Sequence, residues 1–261
     1  MKLELHHADC GYGRTRILSG ASIRLQSGEI VCFLGPNGVG KTTLFKSMLG
    51  LLPLLSGEVL LDGTDRKRIS DRSFARKVAY VPQSHIPPFP FRVIDIVVMG
   101  RSAHLSPLAS PSRRDYAIAE GMMERLGISQ LREQSYTRIS GGERQMALIA
   151  RALTQEPELI LMDEPTANLD YGNQVRVLKV IRQLSESGLG VLMTSHDPDH
   201  AFLLATRAVL LTRERKLLKG SVDEVVTEEN LRRAYGTRVR IVEGEEEGER
   251  IRACVPSLRQ M

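Results

Sequence analysis

Two glycine-bearing motifs carry the chemistry legible in this 261-residue chain. The first, Gly35-Pro36-Asn37-Gly38-Val39-Gly40-Lys41-Thr42-Thr43, fits the pattern G-x-x-x-x-G-K-[ST], and the apolar, β-compatible run 29–34 delivers the chain into it. Glycines lack a Cβ, so successive backbone N–H groups can turn inward around the phosphates of a nucleotide, and Lys41 adds a mobile positive charge. Thr42 is predicted to open a helix running to about Leu49. The helix dipole then faces the same anions, the Thr42 hydroxyl is suited to Mg²⁺, and Thr43 can reach the α-phosphate. The second motif, Ser140-Gly141-Gly142-Glu143-Arg144-Gln145, precedes an apolar-periodic stretch. S-x-x-E at that place is an ordinary capping box. It also leaves bare N–H groups at a helix N-terminus, ready for a second anion, and the two readings stand together.

A chain with both motifs resembles the ATP-binding subunits of ABC transporters, in which the second motif of one protomer closes on the γ-phosphate held by the P-loop of the other. The resemblance runs from residue 1 to about 235 and implies further roles. Leu159-Ile160-Leu161-Met162-Asp163-Glu164 is similar to a Walker B strand, with Asp163 near Mg²⁺ through water and Glu164 polarising the attacking water. Gln83, after the run 78–82, resembles the Q-loop glutamine that reaches Mg²⁺ or the water and senses the membrane subunit. His196, after the apolar run 190–195, matches the switch histidine that contacts the γ-phosphate. Ala167-Asn168-Leu169-Asp170 is similar to the D-loop, with Asn168 where many relatives carry serine. Tyr12 falls where the family stacks an aromatic ring on adenine. The resemblance thus implies Glu164, His196, Gln83 and Lys41 as catalytic groups, Thr42, Gln83 and Asp163 about Mg²⁺, and ATP as the nucleotide, with Asp170 counted at its site.

These residues need a scaffold, and the chain supplies one. Buried-looking runs at 30–34, 78–82, 159–163, 190–195 and 207–212 alternate with helical stretches, which predicts a parallel α/β core of the P-loop NTPase type, its sheet flanked by helices. Short alternating runs within residues 1 to about 30 and about 57 to 80, such as 2–5 and 58–61, predict an antiparallel β subdomain beside it. Residues 84–156 lack such runs and are expected to form an inserted α-helical subdomain with its clearest helices at 115–126 and 141–153. The nucleotide-binding core then comprises 1–83 and 157–235, closed by two short helices within 222–235. Residues 236–261 alternate weakly about an acidic stretch, Glu245-Glu246-Glu247, read as a solvated loop, and suggest a β-hairpin extension. Arg213-Glu214-Arg215-Lys216 reads as a hairpin turn.

Bulk properties fit a folded domain that stays in the cytoplasm. With 42% hydrophobic residues the chain can bury a sizeable core, its apolar runs fall short of the ~18 residues of a membrane span, and its start lacks a signal peptide. Three cysteines without metal spacing agree with a reducing compartment. A net charge of +5 suits an anionic membrane face, and no nucleic-acid partner is expected because aromatics are few and basic residues scattered.

The proline-rich stretch 84–91 reads as an exposed apolar loop or linker. The family reading makes 83–104 the docking surface for a multi-span membrane permease, two copies of which would be driven by a homodimer of this chain. Gly100-Arg101-Ser102-Ala103-His104 resembles the G-R-x-P-H of importers for iron-siderophore, haem, vitamin B12 and related metal-chelate or oxyanion substrates, with Ala103 in place of proline. That resemblance implies a type II importer at the cytoplasmic face of the membrane, fed by an extracytoplasmic binding protein. The alternatives are a soluble ABC ATPase acting on nucleic acid or the ribosome, a nucleotide-binding module without turnover, and the ATPase of an exporter.

Overall fold

The computed structural model describes residues 1–83, 89–106 and 108–257, the Glu249 side chain excepted. Residues 84–88 of the proline-rich stretch and 258–261 of the C-terminal extension lie outside the described residues. The strands are β1 (Lys2–Tyr12), β2 (Thr15–Gln26), β3 (Ile30–Leu34), β4 (Ser56–Leu61), β5 (Thr64–Asp65), β6 (Val78–Val81), β7 (Leu159–Met162), β8 (Gly190–Ser195), β9 (Arg207–Leu211), β10 (Leu217–Gly220), β11 (Val239–Glu246) and β12 (Glu249–Pro256). The helices are α1 (Lys41–Met48), α2 (Asp71–Ala75), α3 (Val93–Val98), α4 (Arg113–Arg125), α5 (Gly141–Leu153), α6 (Tyr171–Glu186), α7 (Asp199–Leu204), α8 (Val222–Val225) and α9 (Glu228–Tyr235).

The α/β class is as expected: a six-stranded sheet in the order β10-β9-β3-β8-β7-β6, parallel except for the edge strand β10. Its central strands are apolar throughout because both faces are covered. In β3, Ile30, Cys32 and Leu34 feed one core while Val31 and Phe33 feed the other. In β7, Ile160 and Met162 face the first core, and Leu159 and Leu161 the second. The first core continues into α3, α4 and α5 through Ile96, Met123 and Ile149; the second is shared with α1 and the antiparallel sheet β2-β1-β4-β5.

Four short readings need correction. The antiparallel strands are longer than the alternating runs 2–5 and 58–61, because β1 changes register against β2 between Leu5 and Ala8, again before Cys10 and again before Gly11. Each bulge breaks the period of two on which strand recognition rests. The helix after the P-loop begins at Lys41, one residue early, with Gly40 as its N-cap. The apolar run of β7 ends at Met162, so Asp163 stands past the strand. Glu245 and Glu246 belong to β11, paired with Arg250 and Glu249, and only Glu247 enters the turn.

Sheet order determines the site. The P-loop follows β3, His196 follows β8, Asp163 and Glu164 follow β7, and Gln83 lies just past β6. These four strands are consecutive neighbours in the sheet and all point the same way. The motif residues therefore line one carboxyl edge, the place where open α/β sheets bind ligands.

Candidate active site

The loop 35–40 turns through backbone angles that favour glycine. Gly38 and Gly40 have φ of 80° and 116°, a region that a side chain disfavours. A Cβ at Gly40 would also stand 2.6 Å from Ile17 Cγ2. Lys41 is buried, and its ammonium donates to Gly35 O at 2.7 Å and Pro36 O at 3.1 Å and pairs with Glu164 Oε1 at 3.1 Å. Val39 packs on the core shared with α1, which anchors the loop from below.

Glu164 is the hub. Besides Lys41, its Oε2 accepts from Gln83 Nε2 at 3.3 Å and lies 3.2 Å from His196 Nδ1. Its backbone is left-handed, φ 45°, an uncommon conformation for a residue with a Cβ. The Thr194 hydroxyl of β8 holds that turn: it accepts the Glu164 N–H at 2.7 Å and donates to Asp163 Oδ1 at 2.7 Å. Asp163 is almost fully buried and lies 3.5 Å, across Oδ2, from the Tyr80 hydroxyl. Burial, with the Asp163 carboxylate adding to it, pushes the Tyr80 hydroxyl up, so Tyr80 stays a neutral donor.

Among the described residues Asp163 has no ion-pair partner. A buried carboxylate with only hydroxyl neighbours is costly unless a cation joins it. Its carboxylate and the P-loop hydroxyl of Thr42 are hard oxygen donors of the kind Mg²⁺ prefers. The donor chemistry fits the ion.

An open cleft of about 460 Å³ gathers Tyr12, Asn37, Lys41, Thr43, Gln83 and Glu164 along its wall, with Ile17 and Thr42. Tyr12, at the end of β1, is 49% exposed, so its ring is free to stack. Ser140, Gly141, Gly142 and Asp170 are elsewhere. Ser140 caps α5 in a reciprocal box with Glu143, its hydroxyl accepting the Glu143 N–H and its own N–H donating to Glu143 Oε2 at 2.8 Å. Asp170 caps α6, and the Asn173 N–H it accepts at 2.9 Å holds its carboxyl below the usual range. The two termini meet: a Cβ on Gly142 would stand 2.3 Å from Asn173 Oδ1. The N-terminus of α5 thus sits beside that of α6, and Ser140, Gly141 and Gly142 do not line the cleft of their own chain.

Sequence reasoning missed Thr194, Tyr80, Ile17 and Asn173. Thr194 left one usable trace, a hydroxyl residue in an otherwise apolar buried strand two residues before His196. Tyr80 and Ile17 look like ordinary strand residues, and Asn173 like any residue of a helix first turn.

Residues 18–167 match the ABC transporter family. An uncharacterised ABC transporter ATP-binding protein of Haemophilus influenzae is 39% identical over 237 residues, covering 91% of this chain and 90% of that protein. A protein of Helicobacter pylori named "Probable iron chelatin transport ATP-binding protein" is 36% identical over 239 residues, covering 91% and 94%. A solved structure titled "An inward-facing conformation of a putative metal-chelate type ABC transporter" is 30% identical, covers 98% of each chain and superposes with a TM-score of 0.88.

Proposed function

The chain belongs to the ABC transporter family as an ATP-binding subunit, and from that premise we propose that its ATPase activity powers a type II importer of a metal chelate or related substrate. The observation that carries the catalytic part is the convergence of Lys41, Gln83 and His196 on the one carboxylate of Glu164. The cargo class is supported by the metal-chelate transporter structure, similar over 98% of both chains, and by the iron chelatin relative.

The residues divide the work as follows. The N–H groups of 35–42 and the dipole of α1 take the phosphates, and the Tyr12 ring stacks on adenine. An arriving γ-phosphate competes with Glu164 for the Lys41 ammonium. Once Lys41 turns to phosphate, the Glu164 carboxylate is released to accept a proton from water, while His196 and Gln83, already on Oε2, orient that water. Bound Mg²⁺ supplies charge neutralisation on the phosphate oxygens, and Thr42 and Asp163 are the residues that would hold it. Ser140, Gly141 and Gly142, turned away from their own cleft, close on the nucleotide of a second copy, so two ATP molecules join a homodimer. Hydrolysis then releases it.

Among the described residues no helix is long and apolar enough to cross a membrane. The chain attaches instead at the cytoplasmic face, docking on two permease subunits near residues 83–104, where Phe89 is 64% and Met99 41% exposed. An extracytoplasmic binding protein delivers the cargo to that permease. The experiment is a mild-detergent pull-down of tagged Glu164→Gln chain from its native cell with ATP and Mg²⁺. Recovery of a multi-span permease and a binding protein supports the importer, and recovery of ribosomes or DNA-bound factors alone contradicts it.

A further inference from the structure

The backbone that carries His196 is a small hydrogen-bonded web. Ser195 Oγ lies 2.9 Å from His200 Nδ1 and accepts the Asp197 N–H at 2.9 Å, and Asp197 Oδ1 accepts the Asp199 N–H at 2.9 Å. One acceptor reaches out of the web: Asp199 Oδ1, at the start of α7, takes the N–H of Cys254 in β12 at 2.7 Å. Directly opposite Cys254 in the hairpin, Ile241 gives its N–H to Glu228 Oε1 of α9 at 3.1 Å. One rung of the hairpin is therefore pinned at both ends by carboxylates on two different helices. A second tie lies two residues along β12, where the Arg252 guanidinium sits 4.3 Å from the centre of the Phe202 ring of α7 and pairs with Asp223 of α8.

These ties are the kind that hold geometry. A carboxylate accepting a backbone N–H makes a short, charge-assisted bond, and it satisfies an edge donor that the two-stranded sheet cannot pair. Arginine over an aromatic face adds a contact with a defined direction. Burial, with the Asp199 carboxylate adding to it, also pushes the Cys254 thiol up to about 12, so the thiol beside this tie stays neutral.

We infer that the C-terminal hairpin is a strap across the switch loop, and that Asp199 and Arg252 are positioning residues which hold the backbone of 195–200 so that His196 meets Glu164. The inference rests on the reading of His196 as the switch residue. Among the described residues, none lining the nucleotide cleft comes from the hairpin, so the strap acts through α7 on catalytic geometry and leaves nucleotide affinity alone.

The test uses the full chain and reads kcat, ATP affinity and melting temperature for Asp199→Ala, Asp199→Asn, Arg252→Ala and His196→Ala. Displacements of a catalytic group by about 1 Å can cost ~10²-fold, so a loosened strap is expected to lower kcat about tenfold in Asp199→Ala and Arg252→Ala while ATP affinity stays within about twofold. Asp199→Asn keeps an acceptor oxygen and should retain most of the rate. Wild-type kcat in both alanine variants, with His196→Ala inactive, would overturn the strap alone. A kcat loss matched by an equal loss of folded protein would also overturn it. Wild-type kcat in His196→Ala would overturn the switch reading and the strap with it.

Discussion

Lys41 and Glu164 form a buried ion pair, Nζ to Oε1 at 3.1 Å, with their side chains 5% and 10% exposed. The same ammonium donates to Gly35 O and Pro36 O, so all three of its donors are engaged. The proposed phosphate-binding cation and the proposed base thus hold each other, and binding a phosphate would exchange one anion for another. Removing one member of a buried pair costs about 3–5 kcal/mol because the other charge is left uncompensated. Lys41→Ala should therefore abolish ATP binding and also lower the melting temperature, measured by nucleotide titration and thermal unfolding. Glu164→Gln keeps an acceptor for Lys41, so binding should persist while hydrolysis falls ~10²-fold or more. Wild-type turnover in Glu164→Gln would remove Glu164 from its role.

Gly40→Ala tests the cradle. The residue must hold φ 116° and its Cβ meets Ile17 Cγ2 at 2.6 Å. Strain of about 1–3 kcal/mol is expected, with weakened ATP binding. Adding Ile17→Ala should recover only the steric part, so affinity rises partway. Full recovery in the double variant would show that backbone conformation contributes nothing.

Thr194→Val removes the hydroxyl that bridges Asp163 Oδ1 and the Glu164 N–H, leaving both without that partner in the core. A lost buried hydrogen bond of this kind costs about 1–3 kcal/mol. We expect lower stability and a kcat reduced about tenfold by the loosened turn, with Thr194→Ser near wild type. Equal rates in the valine and serine variants would contradict the bridging role.

How far these residues could be read in advance depended on what marks them. The strands β3, β7 and β8 are apolar on both faces, and their motifs lie just past their carboxyl ends, so core and site were legible together. Strand β1 was legible only at its start, because the bulges after Leu5, with His7 at φ 42°, shift the inward positions. Thr194 was hidden because threonine is common in strands, and only the fold brings its hydroxyl to Asp163. The partnership of Gly142 with Asn173 was hidden for another reason: it is a contact between two helix ends far apart in sequence. The hairpin gave only weak alternation, and its ties to Asp199 and Glu228 use backbone N–H groups, which no side-chain pattern encodes.

Acid sensitivity should appear in the helical region. Hydrogen bonds from the Ser112 side chain and backbone, followed by the Arg101 guanidinium, hold the Asp115 carboxyl at about 2, below its ordinary 3.8. A carboxyl depressed on folding stabilises the fold fully above its unfolded value and loses that contribution as pH falls through its folded value. Wild-type stability should therefore decline between about pH 4 and pH 2 by an amount that Asp115→Asn lacks, the variant being less stable at pH 7. Thermal unfolding across that range checks it, and parallel pH profiles would refute it. Arg101 also donates to Thr154 O at the end of α5, so the same loss should reach the helix that presents Ser140.

In the proposed cycle ATP joins two chains through Ser140, Gly141 and Gly142 of one and the P-loop of the other. Its most direct measurement is the solution mass of Glu164→Gln by light scattering with Mg²⁺ and either ATP or ADP, with bound nucleotide counted in each peak. The expected masses are one chain in ADP, and in ATP two chains carrying two nucleotides. A single chain that binds ATP and keeps its monomer mass would contradict it.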